Sequence, residues 1–515
     1  MSADRRLLTG LAANFVGQGV NAVASFAFIP AYIALLGIES YGLIGVFTVV
    51  LTAATLLDAG MTPTLNREMA SYRAGQRNAT AMRNLLFSVL LVCGGMLMVA
   101  GVASTALAPV LARTWLPPSS LPPVVIAHAL TLMGIVATLR VIEGLLRGVL
   151  LGLQRPVLMN TISSVTVLVR AAGVLIPLAF FPSVTVFFLW QAAVCLIGIV
   201  ALIVGALRTI GPVGERPRFD GLALARLRGF AGGIFATSLI ALVLGQADKI
   251  ILVKLTSLET FGYYAIGVAV SAVLYQGVLP ISQAYFPHFT VEYARPRGDR
   301  LAASYHQASQ LVAVVVAAAA SFVFAFAAPL LLTWSGKADV ALQAGPLLRI
   351  LIVASSFHCF MYIPYMLQLA AGWSSLAVVV NGVTACLYLP SLWWAASRHG
   401  APGAATALGV SNLTALLVTS ALMHRRLLKG EWSRWLTRDI VPPVMASAAA
   451  AFILSSIMPL DQSRVVRVGV LGATGLLILL AAALASSDVR RLVLSRSPWP
   501  AKFAPEATPR RKDVA

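Results

Sequence analysis

Charged residues are scarce in this sequence. Asp, Glu, Lys and Arg make up 11% of the 515 residues, and hydrophobic residues make up 59%, whereas soluble globular proteins carry roughly 25% charged residues. The chain therefore lacks the polar surface that a soluble multidomain enzyme needs to cover its cores. The net charge of +20 would suggest nucleic acid in a soluble chain, but few polar faces exist to hold it. We expect a lipid environment and no nucleic-acid partner.

Motifs that hold metals, nucleotides or catalytic nucleophiles are also lacking. The four cysteines lie far apart in apolar runs, without a CxxC pair, and the six histidines are scattered. The sequence contains no P-loop, no HExxH and no GxSxG motif. The predicted outer loops are short, which speaks against a polymerase or ligase that works outside the cell. We expect a protein that is not an enzyme and that needs no cofactor or metal.

Long apolar runs are abundant, and a helix needs about 20 apolar residues to cross a bilayer. We predict an all-α polytopic membrane protein with about fourteen transmembrane helices. The predicted spans are 7–36, 41–65, 85–112, 124–146, 157–181, 184–206, 230–254, 261–287, 307–333, 344–369, 373–396, 401–423, 440–458 and 465–487.

Lys and Arg are concentrated in the predicted loops of one side, and this asymmetry predicts the orientation of the chain in the membrane. With the N-terminus in the cytoplasm, 28 of the 38 Lys and Arg residues fall on the cytoplasmic side and six on the outer side. Lys and Arg are enriched on the cytoplasmic side of membrane proteins, so both termini are predicted to be cytoplasmic.

A short motif recurs at the turns that lead into the predicted second and eighth spans. Residues 38–42 (IESYG) and 258–262 (LETFG) match in kind at every position, 220 residues apart, and Asn160 and Asn381 echo this at nearly the same offset. Six spans per repeat give two lobes related by an axis along the membrane normal, around a central cavity. The predicted parts are an N-lobe (1–206), a cytoplasmic linker (207–229), a C-lobe (230–424), a cytoplasmic loop (425–439), two further helices (440–487) and a basic cytoplasmic tail (488–515).

Ionisable residues inside the spans are the candidates for function, because each costs roughly 2.5–3.5 kcal/mol at mid-bilayer. Arg170 is the strongest, since it lies mid-span and no carboxylate lies three or four residues away. The other cations are Arg140, Lys249 and Arg349, and the acids are Asp58, Glu143 and Asp248. The cations outnumber the acids by one, which favours an anionic ligand such as phosphate.

Most of these candidates have a structural alternative. Arg140 and Glu143 form either a self-neutralising ladder with Arg147 or a positive rim at the inner mouth of the cavity. Arg349 either lines the cavity or extends to the interface.

The acids Asp58, Asp248 and Glu143 are candidates either for ion coupling or for a structural role. Asp58 either couples transport to protons or pairs with a nearby arginine at a helix end, and Asp248 and Lys249 either line the cavity or form a structural pair. A polar stripe on the first span faces the cavity or holds helices together; it consists of Asn14, Gln18 and Asn21.

Several motifs in the first 290 residues resemble those of one family. They are IPAY at 29–32, LGIESYG at 36–42, LLDAG at 56–60 with Arg67 and Glu68 beyond it, LGLQR at 151–155, QADKIIL at 246–252 and GYY at 262–264. Together they resemble bacterial polysaccharide flippases of the O-antigen type, in the multidrug/oligosaccharidyl-lipid/polysaccharide (MOP) exporter superfamily.

The resemblance implies a flippase in the bacterial cytoplasmic membrane. Its substrate would be a polyprenyl-diphosphate-linked oligosaccharide, moved from the inner to the outer leaflet by alternating access for the synthesis of surface polysaccharide such as lipopolysaccharide. The partners would be this glycolipid, membrane lipids, a coupling ion (proton or sodium), and the polysaccharide polymerase with other assembly proteins. The alternatives are a cation-coupled multidrug antiporter of the same fold and a flippase of the peptidoglycan lipid precursor.

Overall fold

The computed structural model of the protein describes residues 26–58, 61–73, 78–117, 119–212, 216–221, 231–295, 299–458 and 463–494. Throughout these ranges the regular secondary structure is helical, as predicted. The helices, numbered in chain order, are α1 (Ile29–Leu36), α2 (Ile38–Ala54), α3 (Met61–Arg73), α4 (Ala79–Thr114), α5 (Pro123–Gly152), α6 (Pro156–Ala171), α7 (Leu175–Phe180), α8 (Val184–Ile210), α9 (Ala231–Leu255), α10 (Leu258–Ser271), α11 (Val273–Tyr293), α12 (Asp299–Ala325), α13 (Ala327–Ser335), α14 (Ala338–Phe360), α15 (Tyr362–Ala370), α16 (Ser375–Leu427), α17 (Glu431–Arg434), α18 (Val441–Ile457), α19 (Arg464–Ala485) and α20 (Ser487–Leu494).

Local sequence explains where many of these helices begin and end. The Asn78 side chain accepts a hydrogen bond from the Ala81 backbone N–H at 2.8 Å and caps α4, and Ser257 caps α10 through the Thr260 N–H. Proline opens α5 and α6, where its missing N–H costs no helical hydrogen bond.

Eleven helical segments within the described residues are long and apolar enough to cross a membrane. One segment, Ser375–Leu427, contains two predicted spans, and its backbone departs from helical geometry at Gly400, where φ is 58° and ψ is −138°. This break lies between the predicted spans 373–396 and 401–423. Only residues 26–36 of the first predicted span are described, and the total of fourteen remains a prediction.

The chain divides into two compact units. The first comprises Met1–Val273, Ala327–Ser355 and Ser375–Ala415, and the second comprises Leu274–Phe326, Ser356–Ser374 and Leu416–Ala515. These units alternate along the chain, whereas the predicted lobes are consecutive, so the division into lobes remains a prediction.

Each unit has its own apolar core. In the first unit α3, α4, α5 and α8 bury Met69, Leu86, Leu146 and Leu202 against one another. In the second unit α12, α18 and α19 surround a smaller core of alanine, valine, leucine, isoleucine and phenylalanine residues. The helices α18 and α19, which contain the last two predicted spans, therefore pack on α12 within the second unit.

The two copies of the recurring motif contact each other within the first unit. A Cβ atom on Gly42 would overlap the carbonyl oxygen of Leu258, and a Cβ atom on Gly262 would lie 2.6 Å from the carbonyl oxygen of Ile38. Residues 38 and 258 are equivalent in the repeat, as are residues 42 and 262. The contact is therefore reciprocal, as expected for two segments related by a two-fold axis.

Candidate functional site

Arg170 forms an ion pair that the sequence does not show. Its Nη2 atom donates to Oε2 of Glu143 at 2.9 Å, and the two residues are 5% and 1% exposed. Glu143 lies on α5 and Arg170 on α6, and a tight turn joins these helices. Gln154 in that turn has φ of 55°, and Pro156 starts α6. The turn allows α6 to fold back along α5, which brings the two side chains together.

The same carboxylate has a second arginine beside it. Nη1 of Arg140 lies 3.8 Å from Oε2 of Glu143, and its side chain is half-buried. We call Arg140, Glu143 and Arg170 the arginine cluster. It carries two positive charges and one negative charge, so one positive charge is uncompensated inside the cluster.

Part of Arg170 is left without hydrogen bonds. Its Nε and Nη1 atoms are buried and have no hydrogen-bond partner in the described part of the chain, and the same holds for Nε of Arg147. Buried donors of a charged group are costly when they stay unpaired. A guanidinium with free donors suits a phosphate or carboxylate oxygen, which it binds in bidentate geometry.

Asp248 and Lys249 form the second group of in-span charges. Asp248 on α9 is 2% exposed and accepts a hydrogen bond from the Tyr264 hydroxyl at 2.6 Å. Nζ of Lys249 lies 3.7 Å from the Asp248 carboxylate and donates to the Gly245 carbonyl at 3.0 Å. Adjacent helical residues point about 100° apart, but the flexible lysine stem bends back and makes the pair.

The remaining candidates lie in neither of these groups. Asp58 Oδ1 accepts hydrogen bonds from the backbone N–H and the hydroxyl of Thr62, at 3.0 and 2.7 Å, so it fixes the start of α3. Arg349 is exposed on α14. The polar stripe predicted on the first span, formed by Asn14, Gln18 and Asn21, lies outside the described residues.

A polar network in the second unit escaped the sequence analysis. On α12, His306 Nδ1 lies 2.5 Å from Asp439 and Nε2 lies 3.0 Å from Glu431. Gln310, one turn further, donates to Asp439 at 2.9 Å and accepts from Ser486 at 2.7 Å. The spacing of His306 and Gln310 on an apolar helix was a signal, but their partners lie more than 120 residues away.

Comparisons with known proteins agree on the fold. The chain matches the family model described as polysaccharide biosynthesis protein over residues 7–291, a range that includes the arginine cluster and Asp248. No curated protein matches the sequence.

Three solved structures illustrate the structural similarity. The structure titled lipid II flippase MurJ, inward closed conformation, is 10% identical, with a TM-score of 0.69 over 94% of this chain and 100% of that one. An inward-facing multidrug resistance MATE family transporter of the MOP superfamily is 12% identical, with a TM-score of 0.63 over 81% of this chain and 96% of that one. The MATE multidrug transporter DinF-BH in complex with R6G is 14% identical, with a TM-score of 0.54 over 82% and 96%.

The family model covers more than half of the chain, and the motifs at 36–42, 151–155 and 246–252 fall inside the matched range. Helices long enough to cross a membrane occur from residue 38 to residue 485. The chain therefore belongs to the polysaccharide biosynthesis protein family and is a multi-pass membrane protein whose fold is similar to those of the MurJ and MATE structures.

Proposed function

We propose that this protein moves polyprenyl-diphosphate-linked oligosaccharides from the inner to the outer leaflet of the bacterial cytoplasmic membrane by alternating access. The observation that carries the proposal is the arginine cluster, where two nitrogen atoms of a buried guanidinium have no hydrogen-bond partner among the described residues. Membership in the polysaccharide biosynthesis family supports the same class of substrate.

The physical difficulty of this reaction lies in the polar part of the substrate. A diphosphate and many hydroxyl groups cannot enter hydrocarbon without a large loss of hydration energy. The polyprenyl tail, in contrast, is apolar and dissolves in the lipid bilayer. A flippase therefore has to offer the head group a polar route with compensating positive charge, while the tail stays in the bilayer.

In this proposal six charged residues inside the spans have four roles. Arg170 and Arg140 attract the diphosphate, and Glu143 holds Arg170 in place through one edge of its guanidinium. Lys249 and Arg349 add positive charge along the route. Asp248 is the site that takes up the coupling ion, a proton or sodium, because it is a buried carboxylate with a neutral tyrosine as its hydrogen-bond donor.

Two other functions fit the same fold. A multidrug antiporter for cationic drugs favours acidic and aromatic pockets, whereas the arginine cluster has surplus positive charge. The peptidoglycan lipid precursor also carries a diphosphate, so the cluster suits it equally, and the two flippases differ in the glycan. The product of the proposed reaction would pass to a polysaccharide polymerase and other assembly proteins on the outer side.

The test is the analysis of lipid-linked glycans in a bacterial strain whose copy of the gene is deleted. We expect complete oligosaccharide units on polyprenyl diphosphate to accumulate on the cytoplasmic side. Arg170→Gln should fail to reverse the accumulation and Arg170→Lys should reverse part of it. Arg113→Gln, at an exposed arginine at the end of α4, should act like the unmodified protein and serves as the matched control.

Three results would contradict the proposal. Unchanged glycolipids and unchanged surface polysaccharide in the deletion strain would reject it outright. Increased sensitivity to cationic drugs with normal glycolipids would indicate the antiporter instead. Accumulation of the peptidoglycan precursor alone would indicate the second flippase.

A further inference from the structure

Two spans in the second half of the chain are interrupted within their length. In the segment Leu258–Tyr293 the helix changes from α10 to α11 at Ala272, and in the segment Ala338–Ala370 it changes from α14 to α15 at Met361. At the second break the Met361 N–H bonds to the carbonyl of His358, three residues back, at 3.1 Å. Interrupted helices near mid-membrane are typical of substrate sites in transporters.

Three rings lie together at these two breaks. The ring centroids of Tyr275 and His358 are 5.7 Å apart, those of His358 and Tyr362 are 5.8 Å apart, and those of the two tyrosines are 6.3 Å apart. The rings are tilted or edge-on, with interplanar angles of 54° to 75°. We call these residues the aromatic cluster. All three belong to the second unit.

The aromatic cluster is only half-buried, although it lies within two of the helical segments that are long enough to cross a membrane. Each of the three side chains keeps part of its surface exposed. The side-chain contacts described for His358 are with the two tyrosine rings, and its ring nitrogens have no hydrogen-bond partner among the described residues. An unpaired imidazole facing hydrocarbon is costly. The exposed surface therefore suits water or a polar ligand better than lipid tails.

The chemistry of the aromatic cluster fits a sugar better than a phosphate. An aromatic face is electron-rich and its body is apolar, so it can pack against the C–H face of a pyranose ring. The phenol and imidazole groups can exchange hydrogen bonds with sugar hydroxyls. None of the three residues is an arginine, a lysine or a carboxylate.

We propose that the aromatic cluster binds the glycan part of the lipid-linked substrate, by stacking on sugar rings and by hydrogen bonds to their hydroxyls. This inference rests on the proposed function, and it separates the recognition of the two parts of the substrate. The arginine cluster takes the diphosphate that all such lipids share. The aromatic cluster recognises the sugars that distinguish one lipid from another.

The test compares two lipids with the purified full-length protein in liposomes. One is polyprenyl diphosphate carrying the oligosaccharide, and the other is polyprenyl diphosphate without sugar. We expect Tyr362→Leu and Tyr275→Leu to weaken binding of the glycan lipid about tenfold each, the order of one lost stacking contact. Binding of the sugar-free lipid should stay within about twofold of the unmodified protein, a difference below 0.5 kcal/mol.

Matched variants separate stacking from folding. Tyr362→Phe keeps the ring and should retain most of the preference for the glycan lipid. Tyr293→Leu removes an exposed tyrosine at the end of α11 and should leave both affinities unchanged. The melting temperature of every variant shows whether the protein is still folded.

The outcomes distinguish the two proposals. If the unmodified protein binds neither lipid, the proposed function is rejected. If it prefers the glycan lipid and the leucine variants keep that preference while folded, the aromatic cluster is not the glycan site. If the leucine variants lose binding of a cationic dye such as rhodamine 6G and not of the glycan lipid, the cluster serves cation–π contacts with drugs, and the inference is also rejected.

Discussion

At the scale of single residues, the meaning of a charge depends on its partner. Arg170 has no carboxylate within helical reach along the chain, yet Glu143 on α5 lies 2.9 Å from it. Asp58, a candidate for proton coupling, is engaged with the backbone and side chain of Thr62. Two roles were predicted for Asp58. This contact favours the role at a helix end, although the partner is a threonine and not the predicted arginine.

The ion pair between Arg170 and Glu143 allows a separation of structural and functional roles. Glu143→Gln should lower the free energy of unfolding by about 3 to 5 kcal/mol, because it leaves a buried arginine uncompensated. The double variant Glu143→Leu with Arg170→Met should recover most of that stability, since an apolar pair can replace a buried ion pair. Thermal unfolding in detergent measures both effects.

Transport by the double variant gives the second half of this prediction. The stable double variant should not restore transport in the deletion strain, because it has lost the positive charge to which we assign the binding of the diphosphate. Normal transport by a stable double variant would show that the pair serves packing alone.

At the scale of helices, the repeat becomes a physical contact. Gly42 on α2 lies against the carbonyl oxygen of Leu258, and Gly262 on α10 lies against that of Ile38. Neither position has room for a side chain. Small residues allow such close approach of two helices in a membrane. The sequence repeat therefore corresponds to a symmetric contact between equivalent positions.

Alanine substitution tests this contact. Gly42→Ala and Gly262→Ala should each destabilise the protein by about 1 to 3 kcal/mol, because an added methyl group forces the helices apart. The two effects should be similar, since the two glycines make equivalent contacts. Gly94→Ala, at a position with open space around it, is the control and should leave the melting temperature nearly unchanged. A neutral Gly42→Ala would contradict the close approach.

At the scale of the whole molecule, the orientation in the membrane stays a prediction that rests on the basic residues. Most of the excess of +20 comes from loops that are predicted to be cytoplasmic, where Lys and Arg are expected to contact anionic lipid.

Single cysteines introduced into a cysteine-free background test the orientation. Arg155→Cys, between α5 and α6, should react with a membrane-impermeant maleimide only after the membrane is opened. Arg113→Cys, at the end of α4, should react in intact cells, because α5 separates the two positions and crosses the membrane once. The opposite pattern of labelling would reverse the predicted topology.

Sequence reasoning was most successful where the physics is local. The length of the apolar runs and the small number of charges within them are local properties, and they were sufficient to predict a helical membrane protein. The family motifs lie in single segments, so they too can be read from the sequence. The break within Ser375–Leu427 at Gly400 falls between the predicted spans 373–396 and 401–423, and the total of fourteen spans stays a prediction.

The pairing of buried polar groups could not be obtained in this way. Which helix face meets which depends on packing across the whole unit, and the partners of Arg170 and His306 lie 27 and 133 residues away. The sequence by itself determined the solvent, the secondary structure and the family, because these follow from composition and short motifs. The tertiary structure determined which charges are neutralised and which rings meet, because side chains distant in sequence become neighbours only when the helices pack.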